Sequence, residues 1–400
     1  MRLVVFAVLA GCAPRTLPSD TAERADRVRH YTIWLGGARV GTAVEHETWS
    51  RTGVQLTRDE RLRFLRGDAE IELTTAIVID ADQYLRARSV RWTERGADVH
   101  TADATRDRTG WQLSTGGRLA QAAVPAELVP LLVRRDGAFA GTVFLPARGF
   151  VAGTGRIEPV APGRLVARLA LDAGPIVEAT IDLDRDGAPA RVVDGEGVIA
   201  IRASEAQANE PFRAVDLIAA TAIPIAGHAS SRIALDASVA LPAVPGQLAR
   251  GAVVELDASL AGSLPAGPPT RDRAHEIRAL VSAVRSRITP DLGVPASARD
   301  ASTATAGDCT TFALAYAALA ARRGIPTRVV TGLRVDGDRL VRHRWAVSWT
   351  GTRWIAIDAA YGAVPAGGNL IGLAVHDADD AGLVAGEAAL AHVRAARWLD

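Results

Sequence analysis

The sequence predicts an α+β protein, in which a β-rich N-terminal region is followed by a C-terminal α/β domain. From Tyr31 to about Arg202, short alternating runs of polar and apolar residues recur between turn signals, as in antiparallel strands. Beyond residue 270, two apolar stripes at helical spacing precede three strand-like runs. A chain of 400 residues is also too long for one ordinary domain, which favours two or three.

The composition narrows the classes of function. The hydrophobic share of 48% is sufficient for globular cores, and the net charge of +1 comes without a basic run that would favour nucleic-acid binding. All 46 basic residues are arginine, since the chain contains no lysine. The protein therefore offers no lysine amine to an acyl-transfer reaction.

The N-terminus resembles the signal sequence of a bacterial lipoprotein. Met1-Arg2 precedes the apolar stretch Leu3 to Leu9, and Leu9-Ala10-Gly11-Cys12 resembles a lipobox, whose cysteine is acylated. This resemblance implies a signal peptide over residues 1–11, a polar tether over residues 12–28 and lipidation of Cys12. The alternative is a misplaced start codon before an accidental apolar stretch. Cys12 is followed by Ala13, at the position where an Asp would resemble an inner-membrane retention signal. An alanine at this position favours the outer membrane in a Gram-negative organism.

Residues 29–225 are interpreted as one large antiparallel β domain. Ile33 and Leu35 alternate around Trp34 before Gly36-Gly37, which predicts a hairpin. Residues 70–74 alternate as a half-exposed strand does, and residues 126–133 predict one short helix.

Residues 226–269 predict a short β segment followed by a Pro/Gly-rich linker that ends at Pro269. The next domain, residues 270–400, opens with a helix that ends before Pro290. A terminal helix is expected from Glu387 to Trp398. The apolar stripe of the first helix consists of Ile277, Leu280, Val281, Val284 and Ile288.

Cys309 stands at the head of a second helix, with Asp308 or Gly307 as its N-cap and Gly324 as its C-terminal cap. A thiol at a helix N-terminus faces unpaired N–H groups and the positive end of the helix dipole, which favours the thiolate. A single buried Cys is also a common structural residue. Cys309 is therefore a candidate nucleophile whose partners must be sought elsewhere in the chain.

His343 and Asp358 are the candidate partners of Cys309. Strand-like runs at residues 340–349 and 353–358 flank Thr350-Gly351. If Thr350 and Gly351 form a two-residue turn, Trp349 pairs with Thr352 and His343 lies directly opposite Asp358. The carboxylate would then orient the imidazole, as the third member of a catalytic triad does.

These motifs resemble the transglutaminase-like superfamily over about residues 270 to 365. The resemblance rests on Gly-Asp-Cys opening a helix, Gly-Ile-Pro-Thr-Arg after it, His-x-Trp on a strand and Trp-x-x-x-Asp on the next. It implies a papain-like α/β core in which Cys309 is the nucleophile, His343 the base and acid, and Asp358 the orienting group. The chain departs from the family at His343-Arg344-Trp345-Ala346-Val347, where small-Trp-Val-Glu is usual, and at Asp358-Ala359-Ala360, where Asp-Pro-Thr is usual.

The resemblance implies acyl transfer from an amide through a thioester on Cys309. We expect a lipid-anchored hydrolase of the cell envelope that acts on peptides or cell-wall peptide bonds. The alternatives are a cross-linking acyltransferase, and a non-catalytic binding or assembly lipoprotein in which the β region acts. The expected partners are an amide substrate and the membrane, without nucleic acid. No cofactor is expected, and the spacing of the remaining histidines does not indicate a metal site.

Overall fold

The structure is a computed structural model that describes residues 25–66, 69–96, 99–171, 176–184, 187–194, 197–292, 298 and 300–400. The expected signal peptide and Cys12 lie outside the described residues. The chain divides into an N-terminal unit, up to Ala220, and a C-terminal unit, Thr221–Asp400. No helix among the residues described is long and apolar enough to cross a membrane.

The N-terminal unit is predominantly β. Its strands are β1 (Arg27–Leu35), β2 (Ala38–Ser50), β3 (Gly53–Arg66), β4 (Ala69–Asp82), β5 (Ala87–Arg95), β6 (Val99–Asp107), β7 (Gly110–Leu113), β8 (Arg118–Leu119), β9 (Val124–Pro125), β10 (Phe139–Leu145), β11 (Val151–Ala161), β12 (Arg164–Leu171), β13 (Val177–Leu183), β14 (Pro189–Asp194) and β15 (Val198–Ala203). Its helices are α1 (Val129–Asp136), α2 (Glu205–Asn209) and α3 (Leu217–Thr221), the last ending at the unit boundary, with 3₁₀ turns at Ala126–Leu128 and Pro146–Arg148.

These strands form one nearly closed, barrel-like sheet. Two antiparallel meanders meet where β1 pairs with β15, with Tyr31 opposite Arg202. The hairpin predicted at Gly36-Gly37 is confirmed, because both glycines have the positive φ angles (57° and 78°) that a tight turn between β1 and β2 requires. The predicted short helix corresponds to the 3₁₀ turn at Ala126–Leu128 followed by α1. Leu128 and Leu131 of this segment pack into a core with Trp92, Trp111 and Phe144.

Within the residues that the structure describes, the C-terminal unit combines a 10-stranded mixed sheet, a short two-stranded sheet of β20 (Thr289–Pro290) and β21 (Ala306–Gly307), and three helices. Its strands are β16 (Ile223–Ala226), β17 (Arg232–Ala237), β18 (Gln247–Arg250), β19 (Val253–Leu256), β20 (Thr289–Pro290), β21 (Ala306–Gly307), β22 (Thr327–Asp336), β23 (Arg339–Trp349), β24 (Trp354–Asp358), β25 (Ala363–Ala366), β26 (Leu370–His376) and β27 (Val393–Leu399). Its helices are α4 (Ala274–Arg287), α5 (Cys309–Arg322) and α6 (Asp380–Leu390).

Helices α4 and α5 share one core with the sheet. The stripe predicted on α4 is buried, and Ile277 and Val284 pack with Phe312 and Tyr316 of α5 and with Ile357 of β24. Between α5 and β23, the Tyr316 hydroxyl lies 2.9 Å from the Ser348 hydroxyl. This packing fixes the N-terminus of α5 against β23 and β24.

The predicted terminal helix, Glu387 to Trp398, is wrong. Glu387 lies in the last turns of α6, and the chain then forms β27, which pairs antiparallel with β17 so that Ile233 faces Trp398. Residues Val393–Leu399 gain a continuous ladder of hydrogen bonds in this position, and strand pairing of this kind overrides local helix propensity.

The predicted register of the β23–β24 hairpin is wrong by two residues. Trp349 pairs with Trp354 rather than with Thr352, and residues 350–353 form a four-residue turn. The Thr350 N–H donates to the Arg353 carbonyl at 2.9 Å, and the Thr350 side chain also bonds within this turn. Because side chains alternate with a period of two, the shift leaves His343 and Asp358 on the same face of the sheet.

Candidate active site

Cys309 is the first residue of α5, and the sequence around it builds the start of the helix. Asp308 is the N-cap, and its Oδ1 accepts hydrogen bonds from the N–H groups of Thr310 (2.9 Å) and Thr311 (3.3 Å). A Cβ at Gly307 would lie 2.2 Å from Thr311 Oγ1, so only glycine fits there without displacing the turn. These contacts hold the half-buried Cys309 at the positive end of the helix.

His343 lies on β23 and Asp358 at the end of β24, and both are buried. His343 Nε2 lies 2.8 Å from Asp358 Oδ2. The other carboxylate oxygen of Asp358 accepts the Tyr361 N–H at 3.3 Å. The carboxylate is therefore anchored at both oxygens. Because the His343 ring uses Nε2 for Asp358, its Nδ1 is left for a second partner.

The Cys309 sulfur interacts with the His343 imidazole through charge and hydrogen bonding. The backbone N–H of Arg344 donates a hydrogen bond to the same sulfur. Burial and the Asp308 carboxylate act to raise the pKa of Cys309, but His343 and the Arg344 N–H outweigh them and lower it. Burial acts to lower the pKa of His343, but Cys309 and the hydrogen bond to Asp358 raise it. Both shifts favour a thiolate–imidazolium pair.

Two aromatic rings flank the His343 imidazole. Trp345 is stacked on it, with ring centroids 6.1 Å apart and planes 18° apart, and is itself buried. Tyr361 presents a T-shaped contact at 5.6 Å, and 58% of this tyrosine is exposed. Tyr361 therefore lies between the imidazole and solvent, whereas Trp345 is buried against the same imidazole.

A buried arginine, Arg344, contacts the first turn of α5. Arg344 donates from Nε to Thr331 Oγ1 at 2.9 Å and from Nη1 to Thr310 Oγ1 at 3.1 Å, and its Nη2 pairs with Glu387 of α6. Arg344 and Glu387 are 6% and 3% exposed, so this ion pair is removed from water. Through Thr310, the residue after Cys309, the guanidinium links β23 and α6 to the turn that presents the thiol.

His376 extends this buried network as a neutral imidazole. Burial and the Arg344 charge lower the pKa of His376 to about 3. Its Nδ1 donates to the Asp377 carbonyl at 2.8 Å, so its Nε2 accepts from the Thr331 hydroxyl at 2.8 Å. The Thr331 oxygen then remains free to accept from Arg344.

The structure thus brings together Cys309, His343 and Asp358, while Cys12 lies outside the described residues. Sequence reasoning missed Arg344 and Glu387. One signal was available, since Arg344 interrupts a strand of buried residues and a charge at such a position requires a buried partner. In the described part of the chain, no group of three or more His, Cys, Asp or Glu side chains is placed to hold a metal ion.

Comparisons with solved structures concern less than half of the chain. A beta-barrel-like protein of a domain of unknown function from Brucella abortus is 12% identical, with a TM-score of 0.35, over 45% of this chain and 96% of that one. A protein of another family of unknown function, from Pseudomonas aeruginosa, is 11% identical, with a TM-score of 0.28, over 44% of this chain and 95% of that one. Neither similarity is close enough to carry an argument.

Comparisons of the sequence give a more definite result for the C-terminal part. No curated protein matches the chain. Residues 259–359 match the family model described as the transglutaminase-like superfamily. The matched range includes Cys309, His343 and Asp358 and ends one residue beyond the last of them. This region of the chain, residues 259–359, therefore belongs to the transglutaminase-like superfamily.

Proposed function

We propose that the C-terminal unit catalyses cysteine-dependent acyl transfer from an amide, with Cys309, His343 and Asp358 as a papain-like catalytic triad. The observation that carries the proposal is that the His343 imidazole contacts both Asp358 and Cys309. His343 binds the Asp358 carboxylate at 2.8 Å through one nitrogen and interacts with the Cys309 sulfur at the start of α5. A buried structural cysteine would not need a charge partner of this kind.

The proposed reaction proceeds in two steps. The Cys309 thiolate attacks the amide carbonyl, and the imidazolium of His343 gives its proton to the leaving amine as the C–N bond breaks. A thioester on Cys309 remains. His343 then removes a proton from water or from an acceptor amine, which attacks the thioester and releases the thiol. Asp358 keeps the imidazole oriented and stabilises its charged form.

The backbone N–H of Cys309, at the first turn of α5, is the proposed oxyanion donor. The N-cap carboxylate of Asp308 occupies the N–H groups of Thr310 and Thr311, whereas the Cys309 N–H is not engaged by that cap. A backbone N–H next to the nucleophile lies where negative charge develops on the attacked carbonyl.

We propose hydrolysis of peptide or cell-wall peptide bonds as the principal activity, with cross-linking transfer as the alternative. A lysine side chain that acts as acceptor would have to come from another molecule, because the chain contains no lysine. The third possibility, a non-catalytic binding or assembly protein, is disfavoured by the lowered pKa of Cys309 beside His343.

We also propose that Cys12 carries a lipid anchor in the cell envelope. The proposal rests on the Leu9-Ala10-Gly11-Cys12 motif after an apolar stretch. Mass spectrometry of protein extracted from host membranes should show cleavage before Cys12 and acyl mass on that residue. Recovery of a protein with intact Met1 and without added mass would contradict the anchor.

Acylation by p-nitrophenyl acetate tests the proposed chemistry without knowledge of the natural substrate. Full-length protein with Cys12→Ala should release a burst of p-nitrophenol equal to the protein present and should carry one acetyl group on Cys309. Cys309→Ser should abolish the burst. Faster deacylation on addition of glycinamide would favour transfer to amines over hydrolysis. Absence of both burst and acetyl-enzyme would contradict the proposed function.

A further inference from the structure

We propose that Arg334, which lies with Tyr361 at the edge of the site beside His343, binds a carboxylate of the substrate. This edge, formed by Arg334 and Tyr361, is called the rim below. The preferred acyl donor would then be anionic near the amide that is attacked. This inference rests on the proposed function and names its substrate class. It concerns an exposed part of the site that the triad does not use.

Arg334 lies on the strand next to His343 and on the same face. Gly332 of β22 pairs with His343 of β23, and Arg334 follows Gly332 by two residues. Two residues along a strand span about 7 Å and return the side chain to the same face. The Arg334 guanidinium is therefore within reach of a group bound next to the imidazole.

Tyr361 holds the Arg334 guanidinium at the rim. The guanidinium carbon lies 3.5 Å from the centroid of the Tyr361 ring, and the same ring contacts His343 at 5.6 Å. An arginine stacked on an aromatic face keeps its N–H groups in the plane of the guanidinium, where they remain able to bind a carboxylate through two hydrogen bonds. The stack thus presents a preformed anion-binding group beside the imidazole.

The other arginines of the β22–β23 hairpin have carboxylate partners. Arg328 pairs with Asp377, Arg339 pairs with Asp336, and both Arg342 and Arg344 lie against Glu387. Among the residues that the structure describes, no carboxylate lies within ion-pair distance of the Arg334 guanidinium. Its charge is therefore available to a ligand.

A second cation adds to the positive charge of this rim. Arg285, an exposed residue of α4, donates from Nη1 to the Tyr361 carbonyl at 3.1 Å. The carboxylate of the triad, Asp358, already binds His343 and the Tyr361 N–H. A substrate carboxylate that approaches Tyr361 therefore meets two guanidinium groups, and the negative charge of Asp358 is already engaged.

Paired alkylating reagents of different charge test this inference directly on Cys309. Iodoacetate carries a carboxylate and iodoacetamide does not, so the ratio of their rate constants reports attraction of a carboxylate to the site. Changes in the reactivity of the thiol itself cancel in this ratio. The measurement uses the full-length Cys12→Ala protein at low ionic strength, at pH 6.5 and again at pH 8.5.

Arg334→Gln should lower the iodoacetate-to-iodoacetamide ratio about fivefold, the effect expected for loss of one partly solvated ion pair. Arg339→Gln, at the tip of the same hairpin, is the matched control and should leave the ratio unchanged. Added salt should reduce the difference between Arg334→Gln and the parent. An unchanged ratio in Arg334→Gln, or an equal fall in both variants, would overturn the inference.

The design separates this inference from the proposed function. If Cys309 is not activated, alkylation at pH 6.5 will be as slow as that of a free thiol, which contradicts the proposed triad. At pH 8.5 an ordinary thiol is about half ionised, so the ratio can still be measured and still tests Arg334.

Discussion

His343 and Asp358 meet at 2.8 Å although they are not directly opposite each other on β23 and β24. Ala346 pairs with Ile357, and this pairing, continued along the strands, leads from His343 past the end of β24. The contact is diagonal, as long side chains on one face of a sheet permit. The proposed orientation of the imidazole therefore depends on the side chains and on the turn after β24, which places the Tyr361 N–H on the same carboxylate.

Asp358→Asn should slow alkylation of Cys309 at pH 6 by about tenfold, because a neutral amide no longer stabilises the imidazolium. Asp358→Ala should slow it further, since the buried His343 Nε2–H then loses its partner. The measurement is the second-order rate constant with iodoacetamide. Equal rates in all three proteins would contradict the orienting role of Asp358.

Asp308→Asn should lower the pKa of Cys309 further, because the Asp308 carboxylate acts to raise it. Asparagine is also a good N-cap, so the start of α5 should be retained. The midpoint of the alkylation rate against pH should move to lower pH. Asp308→Ala serves as the comparison, since it also loses the cap and should cost about 1 kcal/mol of unfolding free energy. A midpoint that moves upward in Asp308→Asn would show that another charge dominates.

Glu387→Gln should reduce the free energy of unfolding by about 3 kcal/mol, because it leaves the buried Arg344 charge without its counter-ion. The control is Asp336→Asn, which breaks the exposed pair with Arg339 and should cost less than about 1 kcal/mol. Urea unfolding of both variants measures the difference. Similar losses in the two variants would contradict a special role for the buried pair.

His376 should make the protein less stable in mild acid. A histidine in an unfolded chain takes up a proton near pH 6.5, whereas the pKa of His376 in the folded protein is about 3. Between these values unfolding takes up a proton, so stability falls as the pH falls, by about 1.4 kcal/mol per pH unit from this residue.

His376→Gln should remove that contribution, and the exposed His275 provides the control substitution. Urea unfolding at pH 7.5 and pH 5 should show a smaller loss on acidification in His376→Gln than in His275→Gln. Identical losses in the two variants would place the acid sensitivity elsewhere.

Local patterns in the sequence predicted the elements that carry the site. Cys309 opens a helix because Gly307 and Asp308 are suited to a helix start, and the strand with His343 is evident from its apolar and aromatic residues. The register of the hairpin was not accessible in the same way. Thr350-Gly351 is compatible with turns of different length, and the hydrogen bonds of Thr350 to Arg353 decide between them only in the folded chain.

Contacts between distant parts of the chain account for the other features that the sequence did not reveal. The Arg344–Glu387 pair joins residues of different elements, and no local pattern identifies one as the partner of the other. The same holds for the pairing of β1 with β15, which joins the two meanders of the N-terminal sheet, and for β27, whose residues become a strand because β17 pairs with them. Such pairings depend on tertiary structure rather than on local propensity.

The most direct test of the proposed triad is the rate of Cys309 alkylation by iodoacetamide from pH 4.5 to pH 9.5, in the Cys12→Ala protein and in the same protein with His343→Gln. The lowered pKa of Cys309 and the raised pKa of His343 predict rapid alkylation below pH 8.5, the pH near which a free thiol ordinarily ionises. In His343→Gln, the midpoint should move up to that value or beyond it. A midpoint at or above pH 8.5 that His343→Gln leaves unchanged would contradict the thiolate–imidazolium pair and, with it, the proposed catalytic function.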